Sequence, residues 1–119
     1  MTLESELRDL RGLVTQEDAA NWRILVRDKL KSVQRALRAT GAELPVDEAW
    51  LSARESANDR VRARLEARTA ALSQTILSRL DNARISLDLR RLMADLEHYV
   101  QRVHDMNLDA VALELGGSE

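Results

Sequence analysis

The sequence predicts an all-α fold: an antiparallel three-helix bundle with a short N-terminal fourth helix and coiled-coil-like packing. Within residues 85–113, apolar side chains alternate at steps of four and three, which keeps one stripe of a helix facing a partner. The chain has only four Gly and one Pro in 119 residues, so it offers few places to turn. Aromatic residues, which favour strands, make up only 3% of it.

The length and composition predict one folded domain over residues 1–119, with 45% hydrophobic and 32% charged residues. The absence of cysteine excludes disulfides and thiolate chemistry. No apolar run is long enough for a membrane span, and the N-terminal residues do not have the layout of a signal peptide. We therefore expect a cytoplasmic protein without a membrane partner or a cofactor. The net charge of −2 provides no overall attraction to nucleic acid.

The first helix is predicted over about residues 3–11, where apolar side chains recur at helical spacing (Leu3, Leu7 and Leu10). Gly12 favours its end, because glycine is common just past a helix C-terminus. Thr15 is a candidate N-cap for the second helix, since its hydroxyl can accept a bond from a free backbone N–H group. The second helix is predicted over about residues 16–40, with a buried Trp22, and Gly41 is its expected stop.

The third helix is predicted over about residues 47–81. Pro45 marks the turn before it, and Asp47 is a candidate N-cap. Its apolar face is expected to contain small residues in the first half and aliphatic residues in the second: Trp50, Ala53, Ala57, Val61, Leu65, Leu72, Ile76 and Leu80. The small residues favour close approach of a neighbouring helix.

The fourth helix is predicted over about residues 84–113, followed by a frayed tail at 116–119. Its heptad positions are Ile85, Leu89, Leu92, Leu96, Tyr99, Val103, Met106, Ala110 and Leu113. On a helical wheel this stripe and the stripe of the third helix point to opposite sides, so we expect a turn at residues 81–84. The alternative is one continuous helix of about 60 residues. Its apolar stripes would lie on opposite sides, so other chains would have to pack on both.

Short connections would make the second, third and fourth helices run up, down and up. The first helix is then expected to cover the 70–81 end of the third helix. A second apolar stripe remains near the C-terminus, consisting of Leu108, Val111 and Leu115. No element of the same chain is left to bury this C-terminal stripe, so it predicts an interface with another chain, foremost a second copy.

The second helix also carries a basic stripe, formed by Arg23, Arg27, Lys31, Arg35 and Arg38. Three interpretations remain open: a solvated or salt-bridged face, a contact with an acidic protein, or a contact with the phosphates of a nucleic acid. The stripe has no interleaved aromatic residues for base stacking. We therefore expect nucleic-acid binding, if it occurs, to be weak.

No catalytic or metal-binding constellation stands out in the sequence. His98 and His104 lie away from the heptad stripe, so both are expected to face water. The sequence thus favours a small helical protein–protein interaction module (adaptor, assembly factor or regulator), not an enzyme, acting as a homodimer or with another helical protein. The alternative is a nucleic-acid-associated protein that uses the basic stripe. A third hypothesis is a helical-bundle enzyme whose site sequence inspection does not reveal.

Overall fold

The computed structural model describes the backbone of residues 2–17, 19–41, 49–78 and 81–117, and the side chains of 2–17, 19–40, 56–78 and 81–109. The described residues form four helices and no strand, which confirms the predicted all-α class. These are α1 (Leu3–Val14), α2 (Trp22–Gly41), α3 (Ala49–Thr75) and α4 (Asn82–Gly117). The predicted turn at Pro45, the Asp47 cap and residues 118–119 lie outside the described residues.

The boundary between α1 and α2 differs from the prediction. Thr2 caps α1 by accepting a 3.1 Å bond from the Ser5 amide, and α1 continues through Gly12 to Val14. The predicted role of Thr15 is wrong: its hydroxyl donates to the Gly12 carbonyl (2.9 Å), at the C-terminal end of α1. Because successive i+3 turn bonds follow, α2 begins at Trp22 and not near residue 16.

Helices α3 and α4 are separate, but α3 ends six residues before the predicted position. The Thr75 hydroxyl donates to the Ala71 carbonyl (3.0 Å), and the Ser78 amide and hydroxyl both donate to the Thr75 carbonyl. These hydroxyl groups therefore satisfy backbone carbonyls at the end of the helix. Asp81 starts α4, because its carboxylate accepts bonds from the amides of Ala83 (2.9 Å) and Arg84 (3.4 Å). At its other end α4 runs to Gly117, past the predicted end at residue 113.

The heptad stripe of α4 forms the centre of the core. Its first five positions are buried, as is Met106, and Val103 is half-buried against them. Positions 110 and 113 are helical, but their side chains lie outside the described set. Leu65 and Leu72 of α3 are buried as expected, and so is Ile76, just past the end of that helix.

The buried face of α3 contains polar residues that the sequence analysis did not select. Asn58, Thr69 and Ser73 are buried, whereas Ala57, which was predicted to be buried, is exposed. Thr69 and Ser73 are tolerated inside because their hydroxyls bond carbonyls of their own helix, at 2.7 and 2.9 Å. The face is therefore rotated away from the alanine that a hydrophobic pattern alone selects.

Side-chain bonds between helices show which helices are neighbours and in which direction they run. Helix α1 packs against α2 and α4, and α3 packs against the same two helices. The prediction that α1 covers the end of α3 is wrong, since no contact joins α1 and α3 within the described residues. Arg23 on α2 reaches the C-terminal end of α3, whereas Arg38 pairs with Glu66 earlier in α3, so these helices are antiparallel.

The four helices do not end at the same level. The first residues of α1 and the last residues of α2 both reach α4 near Val103–Asn107, where they line one cavity. Asn58 of α3 faces Met106 of α4 at this level (3.7 Å). Beyond it, α3 continues over residues 49–57 and α4 over residues 108–117, about 15 Å at the rise of an α-helix. We call these two segments the extension and the remainder the four-helix body; together they give a molecule of 59 × 21 × 20 Å.

Candidate interaction surfaces

The C-terminal stripe lies on the extension. Leu108 has 54% of its surface exposed, the largest fraction among the large hydrophobic residues that the structure describes. Val111 and Leu115 belong to the helical part of α4, but their side chains lie outside the described residues. At 100° per residue, all three positions continue the side of α4 that contacts α1 in the body, where Glu97 forms an ion pair with Arg11. The N-terminal end of α1, at Leu3, lies at the level of Val103–Asn107, so α1 does not extend over these three positions.

A cavity of about 200 Å³ lies at the level where α1 begins and α2 ends. Its lining residues come from the start of α1, the end of α2 and the middle of α4, and include Leu3, Thr40, Val103, His104 and Asn107. Tyr99 also lines the cavity and is almost completely buried. Burial raises the pKa of the Tyr99 phenol, with smaller opposing effects of Arg62, which lowers it, and Asp59, which raises it. The phenol therefore remains neutral well into the alkaline range.

The two ends of the basic stripe bind other parts of the chain. The Arg23 guanidinium donates to the Asn82 side chain (2.8 Å) and to the Ile76 carbonyl (3.4 Å), beyond the end of α3. Arg38 forms an ion pair with Glu66 on α3 (2.8 Å). A cation near a helix C-terminus is stabilising, so Arg23 has a structural role at the turn between α3 and α4.

The middle of the basic stripe faces outward. Lys31 and Arg35 are exposed, and Arg35 donates to the hydroxyl of Ser32 (3.1 Å). Arg27 lies beside the adjacent Asp28 (3.3 Å). Lys31 and Arg35 are thus the most accessible of the five predicted contact residues. Arg27 is half-buried, Arg38 is exposed but paired with Glu66 of α3, and Arg23 is bound at the turn between α3 and α4. Whether the stripe binds a polyanion or an acidic protein stays a prediction.

A buried charged cluster between α1 and α2 was missed by sequence reasoning. The Glu6 side chain is only 1% exposed, and its Oε2 accepts a 3.0 Å bond from Lys29, which also binds Asp9 (3.2 Å). The other carboxylate oxygen of Glu6 is buried without a hydrogen bond. Bonding to Glu6 is the largest cause of a raised Lys29 pKa, partly offset by burial. Glu6 directly precedes Leu7 in the apolar stripe, but nothing local in the sequence identifies a lysine 23 residues away as its partner.

Both histidines are exposed, as predicted. His98 lies in an outer groove between α3 and α4, and His104 lies beside the cavity and the groove between α1 and α4. Across the described ranges, no group of three or more His, Cys, Asp or Glu side chains is placed to hold a metal ion.

None of the helices, over the residues described, has the length and apolar character to cross a membrane. Comparisons with protein-family models, with curated proteins and with solved structures find no match.

Proposed function

We propose that this chain is a small cytoplasmic protein–protein interaction module that acts by binding and not by catalysis, and that it forms a homodimer. Its helices form an antiparallel bundle with coiled-coil-like packing, in which the extension is the binding element. The partner contact consists of Leu108, Val111 and Leu115. In this proposal the body is a scaffold, and the extension is the part that needs a second chain.

The observation that supports this proposal most is the exposure of Leu108 on a segment that α1 and α2 do not reach. Burying a leucine side chain contributes about 1.5–3 kcal/mol, so apolar positions grouped on one helix face favour an interface. In the body, the corresponding side of α4 is covered by α1. The extension has a similar face and lacks that cover within the described residues.

A second copy fits this surface better than an unrelated partner. In each chain α1 and α2 stop short, so the described residues leave a step one helix pair wide and about 15 Å long. The extension of another copy is a helix pair of the same length, so two antiparallel copies would fill each other's step. The contact would then be two-fold and self-complementary, as closed dimers are. Each extension would regain the four-helix cross-section that the body has.

The test is the paired change Val111→Asp and Leu115→Asp, followed by sedimentation and circular dichroism. Wild type is expected to sediment as a dimer and the variant to shift towards monomer, because two charges per chain enter the contact. Helical circular dichroism should remain largely intact.

A matched control places the same charges on exposed leucines outside the extension. Leu77 and Leu87 are 48% and 42% exposed, so Leu77→Asp with Leu87→Asp should leave the dimer unchanged. Dissociation by this control as well would contradict an interface on the extension. A monomeric wild type would contradict the homodimer and would leave the stripe as a docking surface for a different helical protein.

The alternative, nucleic-acid binding, is favoured only by the exposed middle of the basic stripe. Binding through phosphates would be weak, independent of sequence and reduced by salt, because neutralised phosphates release counterions. Changing Arg27, Lys31 and Arg35 together to Glu should abolish it in an electrophoretic mobility assay. Tight binding to DNA at physiological salt would make this alternative the better account of the protein.

A further inference from the structure

Three cationic side chains meet in a groove between α3 and α4, on the outer side of the body. The groove has a volume of about 280 Å³, and its polar lining consists of Arg64, Arg68, Asp95, His98 and Arg102. The ion pair between Arg68 and Asp95 (2.7 Å) joins the two helices at one level. One turn further along, the antiparallel direction brings Arg64 of α3 to the level between His98 and Arg102 of α4.

The charges at these two levels differ. Arg68 is neutralised by Asp95, whereas no carboxylate of a described residue lies within ion-pairing distance of Arg64 or Arg102. Two guanidinium groups therefore face one groove, with an imidazole between them, and the one carboxylate among the described lining residues, that of Asp95, is already paired with Arg68. A bound anion would be attracted by both guanidinium groups.

We propose that Arg64, Arg102 and His98 form a binding site for a phosphate group. The planar fork of an arginine binds phosphate oxygens in a bidentate manner, and two arginines from adjacent helices can hold separate oxygens of one group. A phosphate ester carries a charge of about −1.5 to −2 at neutral pH, which matches two guanidinium groups. A single carboxylate would neutralise only one of them.

The shape of the groove also favours a small phosphate compound over an acidic protein segment. Its apolar base includes Leu65, which is only 3% exposed, so a partner helix would find little apolar surface to bury. The volume is just below the range of about 300–1,000 Å³ typical of ligand pockets. The site is separate from the proposed dimer contact, since Arg102 and Leu108 lie about 120° apart around α4 at 100° per residue. The two proposals can therefore fail independently: the protein could dimerise without binding phosphate, or bind phosphate as a monomer.

The test is a titration of the ¹⁵N-labelled protein, followed by NMR, with inorganic phosphate and with methyl phosphate as probes. Ionic strength is held constant with chloride, and acetate serves as the carboxylate control. We expect saturable shifts of the amides around Val61, Leu65 and His98, at least tenfold weaker affinity in R64Q and in R102Q, and a several-fold loss in H98N. Tighter binding of methyl phosphate would identify a phosphate ester as the ligand, and tighter binding of inorganic phosphate would identify the free ion.

The matched control is R60Q, because Arg60 is exposed one turn from Arg64 and does not line the groove. Its affinity should stay within twofold of wild type, and the urea midpoints of all variants should agree, which separates binding from stability. Three results would overturn the proposal: no saturable shifts at the groove, equal loss in R60Q and R64Q, or binding of acetate as tight as that of phosphate.

Discussion

Helices α3 and α4 run through both the body and the extension of this protein, but different elements surround them in the two regions. In the body, α1 and α2 cover α3 and α4, and a single apolar cluster runs from Leu3 to Tyr99. In the extension, α3 and α4 continue beyond the ends of α1 and α2, and Leu108 is exposed. The same helix α4 thus passes from a completed core to an incomplete one. We therefore propose that the fold of the body is self-sufficient, whereas the extension requires a partner.

The sharpest test of this comparison uses two leucines on the same helix. Leu96→Ala should lower the free energy of unfolding by about 2–5 kcal/mol, because it leaves a cavity in a packed core. Leu96 is fully buried, whereas Leu108 is more than half exposed in the single chain. Leu108→Ala should therefore cost the monomer less than about 0.5 kcal/mol, the range for surface substitutions. Urea denaturation of dilute protein measures both, and similar losses would contradict the difference between the two regions.

A second test concerns the charged cluster that holds α1 on the body. Lys29→Met should destabilise the protein by about 2–3 kcal/mol, because Glu6 would remain buried without its partner. Adding Glu6→Leu should restore most of the loss, since an apolar pair at such a site is often neutral or stabilising. Chemical denaturation of the two single variants and the double variant measures the coupling. Additive losses would show that Glu6 and Lys29 do not act as a pair.

A third test uses alkaline pH. The pKa values of Tyr99 and Lys29 are raised above their ordinary values of 10.0 and 10.5, so the folded state holds these protons more tightly than the unfolded state. Their contribution is fully present below about pH 10 and is lost as pH rises through the raised values, with a slope of up to about 1.4 kcal/mol per pH unit for each group.

The phenol can be separated from the amine with Tyr99→Phe, which removes one of the two titrations. Between pH 9 and 11, the free energy of unfolding of this variant should fall less steeply than that of wild type. Lys29 continues to titrate in both proteins, so some slope remains. Parallel curves would mean that Tyr99 ionises equally easily in the folded and unfolded states.

The smallest expected effect concerns the start of α4. Asp81→Ala should lower the free energy of unfolding by about 1 kcal/mol, because the amides of Ala83 and Arg84 lose their capping oxygen. Asp81→Ser keeps an oxygen at this position and should recover most of the loss. Thermal unfolding of the two variants measures the difference. Equal destabilisation would indicate that the cap does not position the turn between α3 and α4.

Much of the body was predictable because its signals are local. The stripe of α4 follows from the spacing of its apolar residues, and burial of Trp22 follows from its place on the apolar face of α2. The predicted turn at residues 81–84 was placed too late, because residues 82–84 already belong to α4, which Asp81 caps. The Trp22 indole also donates a 2.6 Å bond to the Leu13 carbonyl, which joins α2 to α1. Local signals failed where one residue could serve two roles. Thr15 was expected to start α2, and instead it caps the C-terminal end of α1.

The position of α1 and both charged sites depend on contacts between distant residues, which a single sequence does not reveal. A helical-wheel projection of α3 selects Ala57 over Asn58, because it ranks residues by hydrophobicity. It does not show that Asn58 contacts Met106 on α4. Glu6 with Lys29, and Arg64 with Arg102, become visible only once antiparallel helices bring them to one level. For the candidate interface, the spacing of Leu108, Val111 and Leu115 predicted an exposed apolar stripe. The structure describes the exposure of Leu108, and the side chains of the other two lie outside the described residues.

Backbone amide hydrogen exchange along α4, measured at two protein concentrations, tests the comparison most directly. Amides at residues 89–102 should be strongly protected at both concentrations, because the body provides their packing. Amides at residues 110–117 should exchange quickly in dilute protein and become protected at the concentration at which sedimentation detects a dimer. If residues 110–117 are as strongly protected as the body in dilute monomer, the extension does not need a partner, and the proposed dimer contact is contradicted.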